Sequence, residues 1–255
     1  MIEFPPSAAG GFSSAAGHYA KARPAYPRSA IGLLKEELPP GPVLDVAAGT
    51  GILTGQLSRA KLNMFAGEPV GEMAQQLRRA LPRIPMVECT AESLPFADGS
   101  FDAVTVAQAF HWFDAAIASA EIHRVLNPPG RLALIWNARD ESVDWVRRVT
   151  DLVESHSGGR PYSPAQGQEC ERLLTESGLF RTVSETRFAN PQRSSPELLA
   201  ARVRSTSFVA ALSETDQDAL LNEVNEVIRD SPELTGRQQF EFPHTCSVVF
   251  FDKTQ

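Results

Sequence analysis

Residues 43–51, VLDVAAGTG, constrain this chain more than any other stretch. A short apolar run ends around an acid, Asp45, and breaks into small residues and glycines. Apolar side chains at Val43, Leu44 and Val46 suit a strand buried on both faces of a parallel sheet. Gly49 and Gly51 let the backbone turn sharply and let a ligand approach with no Cβ in the way. Residues 52–59 then read as a helix whose N-terminus faces whatever lies over the turn. Strand, glycine turn and helix in this order open a nucleotide-binding α/β domain. The spacing is D-x-A-x-G-x-G rather than the G-x-G-x-x-G of dinucleotide sites, so a tight turn without a ligand is the competing reading of this stretch alone.

The pattern recurs downstream. Strands are predicted over 62–68, 84–89, 101–107 and 131–136. Helices are predicted over 28–38, with Ile31, Leu34 and Leu38 on one face, over 70–80, and over 115–126, with Ile117, Ala120, Ile122 and Val125 inward. Such alternation implies right-handed β-α-β crossovers and a parallel sheet covered on both faces. Past residue 140 the rhythm changes, with helices near 142–156 and 166–177, a strand over 181–188, a helical region over 196–230 and a last strand near 240–252. We expect residues 190–236 to form a helical cap inserted before the final strand. Residues 1–12 are expected to be a disordered tail, and 13–255 one domain whose segment 13–38 supplies an amino-terminal lid and helix.

Charge narrows the function classes. With 24 basic against 31 acidic residues the formal net charge is −7, and no basic stripe offsets it, so a nucleic-acid partner is disfavoured. The longest apolar runs are strand-length, too short for a bilayer, and the first residues lack the basic start and apolar core of a signal peptide. Cys89, Cys170 and Cys246 are odd in number, far apart and outside metal-ligand spacing. Reduced thiols in a cytoplasmic protein are the expectation, with no metal site.

Glu68 ends the second predicted strand. An acid there can accept both hydrogen bonds of a ribose diol, or be a solvated strand-end acid. Residues 90–92 follow the third strand and Ala107 and Gln108 end the fourth. The carboxyl ends of strands converge on the ligand crevice of an open α/β sheet, so a nucleoside-sized molecule could touch 45–51, 68–69, 90–92 and 107–108.

At this point the sequence resembles the class I S-adenosylmethionine-dependent methyltransferases, in the small-molecule branch that includes the trans-aconitate-type enzymes. VLDVAAGTG resembles the first motif of that family and FAGEPVGEM its acidic second-strand motif. CTAESLPFADGSFDAVTVAQAFHWF resembles the adenine and fourth-strand motifs, EIHRVLNPPGRLALIWN the fifth-strand motif, and the segment ending RPAYP its amino-terminal stretch. The likeness covers roughly residues 12–140. It implies a Rossmann-like, doubly wound α/β sheet of seven strands, mostly parallel with an antiparallel last strand, plus the cap. It also implies S-adenosylmethionine as cofactor, with Asp45, Ala47, Gly49 and Gly51 towards its methionine part and Glu68 on the ribose hydroxyls. Pro69 and Met73 would flank the adenine, with Thr90, Ala91 and Glu92 at its edge and Ala107 and Gln108 nearby. Tyr19 or Arg23 would lie near the cofactor carboxylate. Ala47 stands where the family has a glycine, and Thr90 where it often has an aspartate.

Methyl transfer from a sulfonium is an in-line displacement, so a protein contributes chiefly orientation and exclusion of water; a hydroxyl acceptor also gains from a base, whereas a carboxylate needs none. His111, after the fourth strand, is the candidate base or orienter, and Trp112 a wall of the acceptor pocket; packing as scaffold is the alternative for both. His18 and Tyr26 join Tyr19 and Arg23 in the candidate lid. Trp136, Tyr162, Arg204 and Phe208 are further acceptor-pocket candidates, and Arg139 either an anion partner or a surface ion-pair residue. The expected acceptor is a small molecule bearing a carboxylate or hydroxyl. Two other classes remain: a non-catalytic regulator on the same scaffold, and a nicotinamide oxidoreductase. The latter is disfavoured by the glycine spacing and by lysines only at 21, 35, 61 and 253, none forming a Tyr-x-x-x-Lys pair.

Overall fold

The computed structural model describes residues 25–157, 164–204 and 206–254. The expected tail over 1–12 and the lid residues up to 24 lie outside them. Along the chain run α1 (Arg28–Glu37), β1 (Pro42–Val46), α2 (Ile52–Arg59), β2 (Asn63–Gly67), α3 (Gly71–Ala80), β3 (Met86–Val87), β4 (Phe101–Ala107), a 3-10 turn (Phe110–Trp112), α4 (Ala115–Val125) and β5 (Leu126–Arg139). Then come α5 (Asp144–Ser157), α6 (Pro164–Glu176), β6 (Phe180–Ala189), β7 (Gln192–Ser194), α7 (Pro196–Arg204), α8 (Ser207–Ala210), α9 (Glu214–Asp230), β8 (Phe240–Phe242) and β9 (His244–Lys253).

Seven strands form one sheet in the order β3-β2-β1-β4-β5-β9-β6. It is mostly parallel, with the antiparallel last strand, β9, between β5 and β6. Parallel register pairs Leu44 with Phe65 and with Val104, and Val104 with Leu132.

Alternation along the strands builds two cores. Leu44, Val46, Val104, Val106, Leu132, Leu134, Val249 and Phe251 face one side, against Ala118, Ile122 and Val125 of α4 and Cys170 and Leu174 of α6. Their sequence neighbours Val43, Ala103, Ala133, Ile135, Val248 and Phe250 face the other side, against Ala30 and Leu34 of α1 and Leu53 and Leu57 of α2. Successive side chains of a strand point to opposite faces, so a continuous apolar run serves both cores.

By contacts the described residues fall into two compact units. The first, residues 25–137, 164–188 and 246–254, holds the sheet and its covering helices. The second, residues 138–157, 189–204 and 206–245, has its own core. Trp145, Val146, Val149 and Val153 of α5 meet Leu199 and Val203 of α7, Leu220, Val224 and Val227 of α9, and Phe240 and Phe242. Ser213 caps α9 by accepting from the backbone N–H of Asp216 at 3.2 Å.

Several expected boundaries change. The third strand is two residues long, not six, and β5 starts at Leu126. The region 190–236 opens with a strand, and the stretch near 240–252 is two strands, of which β8 pairs antiparallel with β7 in a separate two-stranded sheet. On α4 the buried face is Ala118, Ser119, Ile122 and Val125, while Ile117 is 46% exposed and Ala120 also faces out. Asp114, which caps this helix through the N–H of Ile117 at 3.1 Å, sets its start. On α1 the buried residues are Ala30 and Leu34 rather than Ile31.

Candidate functional site

The turn after β1 is held in left-handed backbone at Ala47 (φ 54°), Gly49 (φ 59°) and Gly51 (φ 82°). The N–H of Ala48 donates to the Gly67 carbonyl at the end of β2, 3.0 Å away, and the N–H of Gly51 to the Ala48 carbonyl at 3.0 Å. The two glycines differ in what surrounds them. A Cβ on Gly51 would lie 3.0 Å from both Leu77 and Leu81, so close packing on α3 requires glycine there. Among the described residues a Cβ on Gly49 would meet only Met73 Sδ, at 3.9 Å, an ordinary contact.

Beneath the turn Asp45 is 1% exposed. Its Oδ2 accepts the Thr54 hydroxyl of α2 at 2.5 Å and its Oδ1 the Thr105 hydroxyl of β4 at 2.9 Å. Burial pushes its carboxyl up to about 6, against the two hydroxyl bonds, which act to lower it. Asp45 thus ties the turn to α2 and to β4. The sequence reading missed Thr54 and Thr105; a threonine facing the interior of an otherwise apolar helix or strand was the available signal.

Glu68, just past β2, is 2% exposed. Its Oε2 accepts the Gly49 N–H at 2.7 Å and its Oε1 the Val70 N–H at 2.9 Å. Burial raises its pKa, the two N–H donors hold it down, and the neighbouring Asp45 adds to the rise. The carboxylate thus links the glycine turn to the entry of α3, where Met73 is buried beside Gly49. Cys89 lies next to it. Burial first, and the charge of Glu68 second, push that thiol up to about 11.

After β3, Thr90 and Ser93 form an isolated antiparallel bridge with Ala91 buried between them. Glu92 Oε1 accepts the N–H of Asp114 at 3.0 Å, so this acid secures the start of α4. At the end of β4 Gln108 takes a left-handed φ of 58°. Its N–H donates to the Ile135 carbonyl at 2.9 Å, and its side-chain amide donates to the Asn137 carbonyl at 2.9 Å. Both bonds fix the ends of β4 and β5 to each other.

The 3-10 turn follows, anchored by Phe110, which is 1% exposed. It sets His111 and Trp112 with ring centroids 4.7 Å apart, and His111 lies 5.4 Å from Trp136 of β5. Both ring nitrogens of His111 and the indole nitrogen of Trp136 are shielded from solvent. An aromatic wall with one titratable ring therefore stands at the carboxyl ends of β4 and β5.

The structure places Ala47, Gly49, Gly51, Glu68, Pro69, Met73, Thr90, Ala91, Glu92, Ala107, Gln108, His111, Trp112 and Trp136 in the unit that holds the sheet, at strand ends and the segments that follow them, with Met73 in the first turn of α3 and His111 and Trp112 in the 3-10 turn. Tyr26, expected in a lid, is instead 8% exposed in the core beside α1, with its backbone clipped at both ends by the Gln56 side chain at 3.0 and 2.7 Å. Arg204, expected in the acceptor pocket, is exposed on α7 and pairs with Asp218 at 2.7 Å. Arg139 donates to the Thr150 hydroxyl at 3.3 Å. Phe208 belongs to α8, its side chain outside the described residues, and His18, Tyr19, Arg23 and Tyr162 lie outside them altogether.

These features fit the group that the sequence resemblance implies. Each Glu68 oxygen keeps a further lone pair for a ribose hydroxyl, and among the described residues no atom approaches a Cβ position at Gly49 more closely than Met73 Sδ, at 3.9 Å.

Comparison with known proteins gives the same direction. The methyltransferase-domain family matches residues 44–134. The chain is 37% identical over 240 residues to an uncharacterized methyltransferase of Mycobacterium tuberculosis, covering 93% of each chain. It is 31% identical over 228 residues to another of Schizosaccharomyces pombe, covering 88% of this chain and 89% of that one. Among solved structures it matches a candidate type II methyltransferase of Anaeromyxobacter dehalogenans with a TM-score of 0.65 and 22% identity, over 91% of this chain and 97% of that one.

Proposed function

The chain belongs to the class I S-adenosylmethionine-dependent methyltransferases, and we propose that it methylates an oxygen, carboxylate or hydroxyl, of a small molecule. The cofactor supplies a methyl carbon bonded to a sulfonium, whose neutral thioether is a good leaving group. Glu68 and the glycine turn orient the nucleoside. The wall of His111, Trp112 and Trp136 excludes water from the acceptor side, and in an apolar enclosure orientation is the main source of rate. His111 is the one titratable ring in that wall, and for a hydroxyl acceptor its role is to take the proton as the new bond forms.

The observation that carries the reading is the placement of an imidazole among aromatic rings at the end of β4, in the unit that also holds Glu68 and the glycine turn. The acidic balance of the chain, −7, supports a small acceptor over a nucleic acid, and three free cysteines accord with a reducing cytoplasmic setting.

The test follows labelled methyl transfer from S-adenosylmethionine into pools of small acids, alcohols, phenols and amines, with each product typed by its lability to mild alkali, which marks esters, and by the carbon-13 shift of the new methyl group, which separates O-, N- and C-methyl. We expect methyl esters or ethers. For a hydroxyl acceptor, His111→Asn lowers kcat by about 100-fold with little change in KM. Label found only in N-methyl or C-methyl products overturns the proposal.

A further inference from the structure

The indole N–H of Trp136 is a buried polar group of this wall without a hydrogen-bond partner among the described residues. Buried donors are nearly always satisfied, and those that are not call for an explanation. Here position supplies one. Trp136 follows Ile135, which pairs with Ala107 at the very end of β4 and accepts the N–H of Gln108 at 2.9 Å. The indole therefore stands at the paired ends of the two central strands, where ligands of such sheets bind. A Cβ added to Gly167 of α6 would lie 4.0 Å from Nε1, in ordinary contact, so the helix backbone comes close to the indole edge without setting a side chain of Gly167 against it. Packing alone would be served by phenylalanine, which carries no donor to bury.

We infer that Trp136 Nε1–H is the donor to an oxygen of the acceptor molecule, and that this acceptor is flat and conjugated, of the phenol or hydroxylated-aromatic class. Flatness follows from the neighbours. His111, Trp112 and Trp136 are contiguous, with His111 tilted 44° and 39° to the other two rings, so the acceptor meets π faces and edges rather than aliphatic branches. This inference rests on reading the strand ends as the acceptor site.

The experiment uses protein saturated with S-adenosylhomocysteine and labelled with nitrogen-15 in its three tryptophans, the Trp136 indole signal being identified by its loss in Trp136→Phe. Three probes are titrated: 2-naphthol, decahydro-2-naphthol, which keeps the oxygen without flatness, and 2-methylnaphthalene, which keeps flatness without oxygen. We expect 2-naphthol to move the Trp136 N–H signal downfield and to bind about ten-fold tighter than either analogue. Trp136→Phe, shown to be folded by unchanged affinity for S-adenosylhomocysteine, weakens 2-naphthol about five- to ten-fold and leaves 2-methylnaphthalene unchanged. A Trp136 signal that 2-naphthol does not move, or a variant that weakens all three probes alike, overturns the inference while the cofactor reading stands. Failure of the wild type to bind S-adenosylhomocysteine removes the site reading, and this inference with it.

Discussion

Replacing Asp45 by asparagine should stabilise the fold at neutral pH and leave its acid stability nearly unchanged. Asp45 is 1% exposed, and burial lifts its carboxyl from the ordinary 3.8 to about 6. A carboxyl whose folded pKa is raised binds its proton more tightly in the native state than in the unfolded chain. Its stabilising effect is complete below pH 3.8 and is lost as pH rises through about 6. At about 1.4 kcal/mol per pH unit, the ionised form leaves the native state about 3 kcal/mol worse off at pH 8 than the neutral form would. An amide removes the charge and keeps a partner for each hydroxyl, because Thr54 and Thr105 can each donate or accept. Urea unfolding of both proteins from pH 4 to 8 measures this. The stability of Asp45→Asn relative to the wild type should climb by about 2.4 kcal/mol across that range, most steeply between pH 4 and 6. Other titrations largely cancel in the difference, apart from Glu68, which loses the repulsion of Asp45. A difference that is flat with pH, or that moves the other way, refutes burial as the cause of the shift.

Three further outcomes are expected. Ala47→Gly should raise stability by about 0.5 kcal/mol, since relief of an L-residue at φ 54° outweighs the added freedom of glycine in the unfolded chain; a lower urea midpoint contradicts this. Gly51→Ala and Gly49→Ala should separate stability from binding. The first sets a Cβ 3.0 Å from Leu77 and Leu81 at φ 82° and should cost about 2 kcal/mol of stability. The second meets only Met73 Sδ among the described residues, at 3.9 Å, and should cost about 1 kcal/mol while weakening S-adenosylhomocysteine by at least about ten-fold, as calorimetry will show. Glu68→Ala should weaken that ligand by about 100-fold, two charge-assisted hydrogen bonds being lost; unchanged affinity would move the ribose elsewhere.

The strand, turn and helix around Asp45 were legible because three local preferences agree there: an apolar run, residues tolerant of left-handed backbone, and a helix start. Legibility failed where the pattern was degenerate. AAIASAEIHRV carries small or apolar residues all round, so periodicity alone did not fix which face of α4 turns inward, and the Asp114 cap did. QRS and FEF are too short to show any period, and pairing between residues nearly fifty positions apart makes them strands. Within the site, Glu68 was readable from its place after a strand. The hydroxyls on Asp45 and the tie from Glu92 to Asp114 depend on elements meeting in space, which no linear spacing encodes. Arg204 and Tyr26 were misplaced for the same reason: a long cation and an aromatic ring look alike in sequence whether they line a pocket, pair with a neighbour or fill a core.

The position of β9 has a consequence for how the chain is made. It lies between β5 and β6 although it is the last strand of the chain. During synthesis β5 therefore emerges with one edge unfilled, and the chain that separates it from β9 takes on the order of ten seconds to translate. β6, made in the meantime, has no strand beside it in the final order until β9 appears. A ribosome that stops short of residue 244 leaves two bare edges, the kind of surface on which chains aggregate. Truncation that removes β9, His244–Lys253, should therefore leave the sheet open in its interior, not merely shorter at one edge.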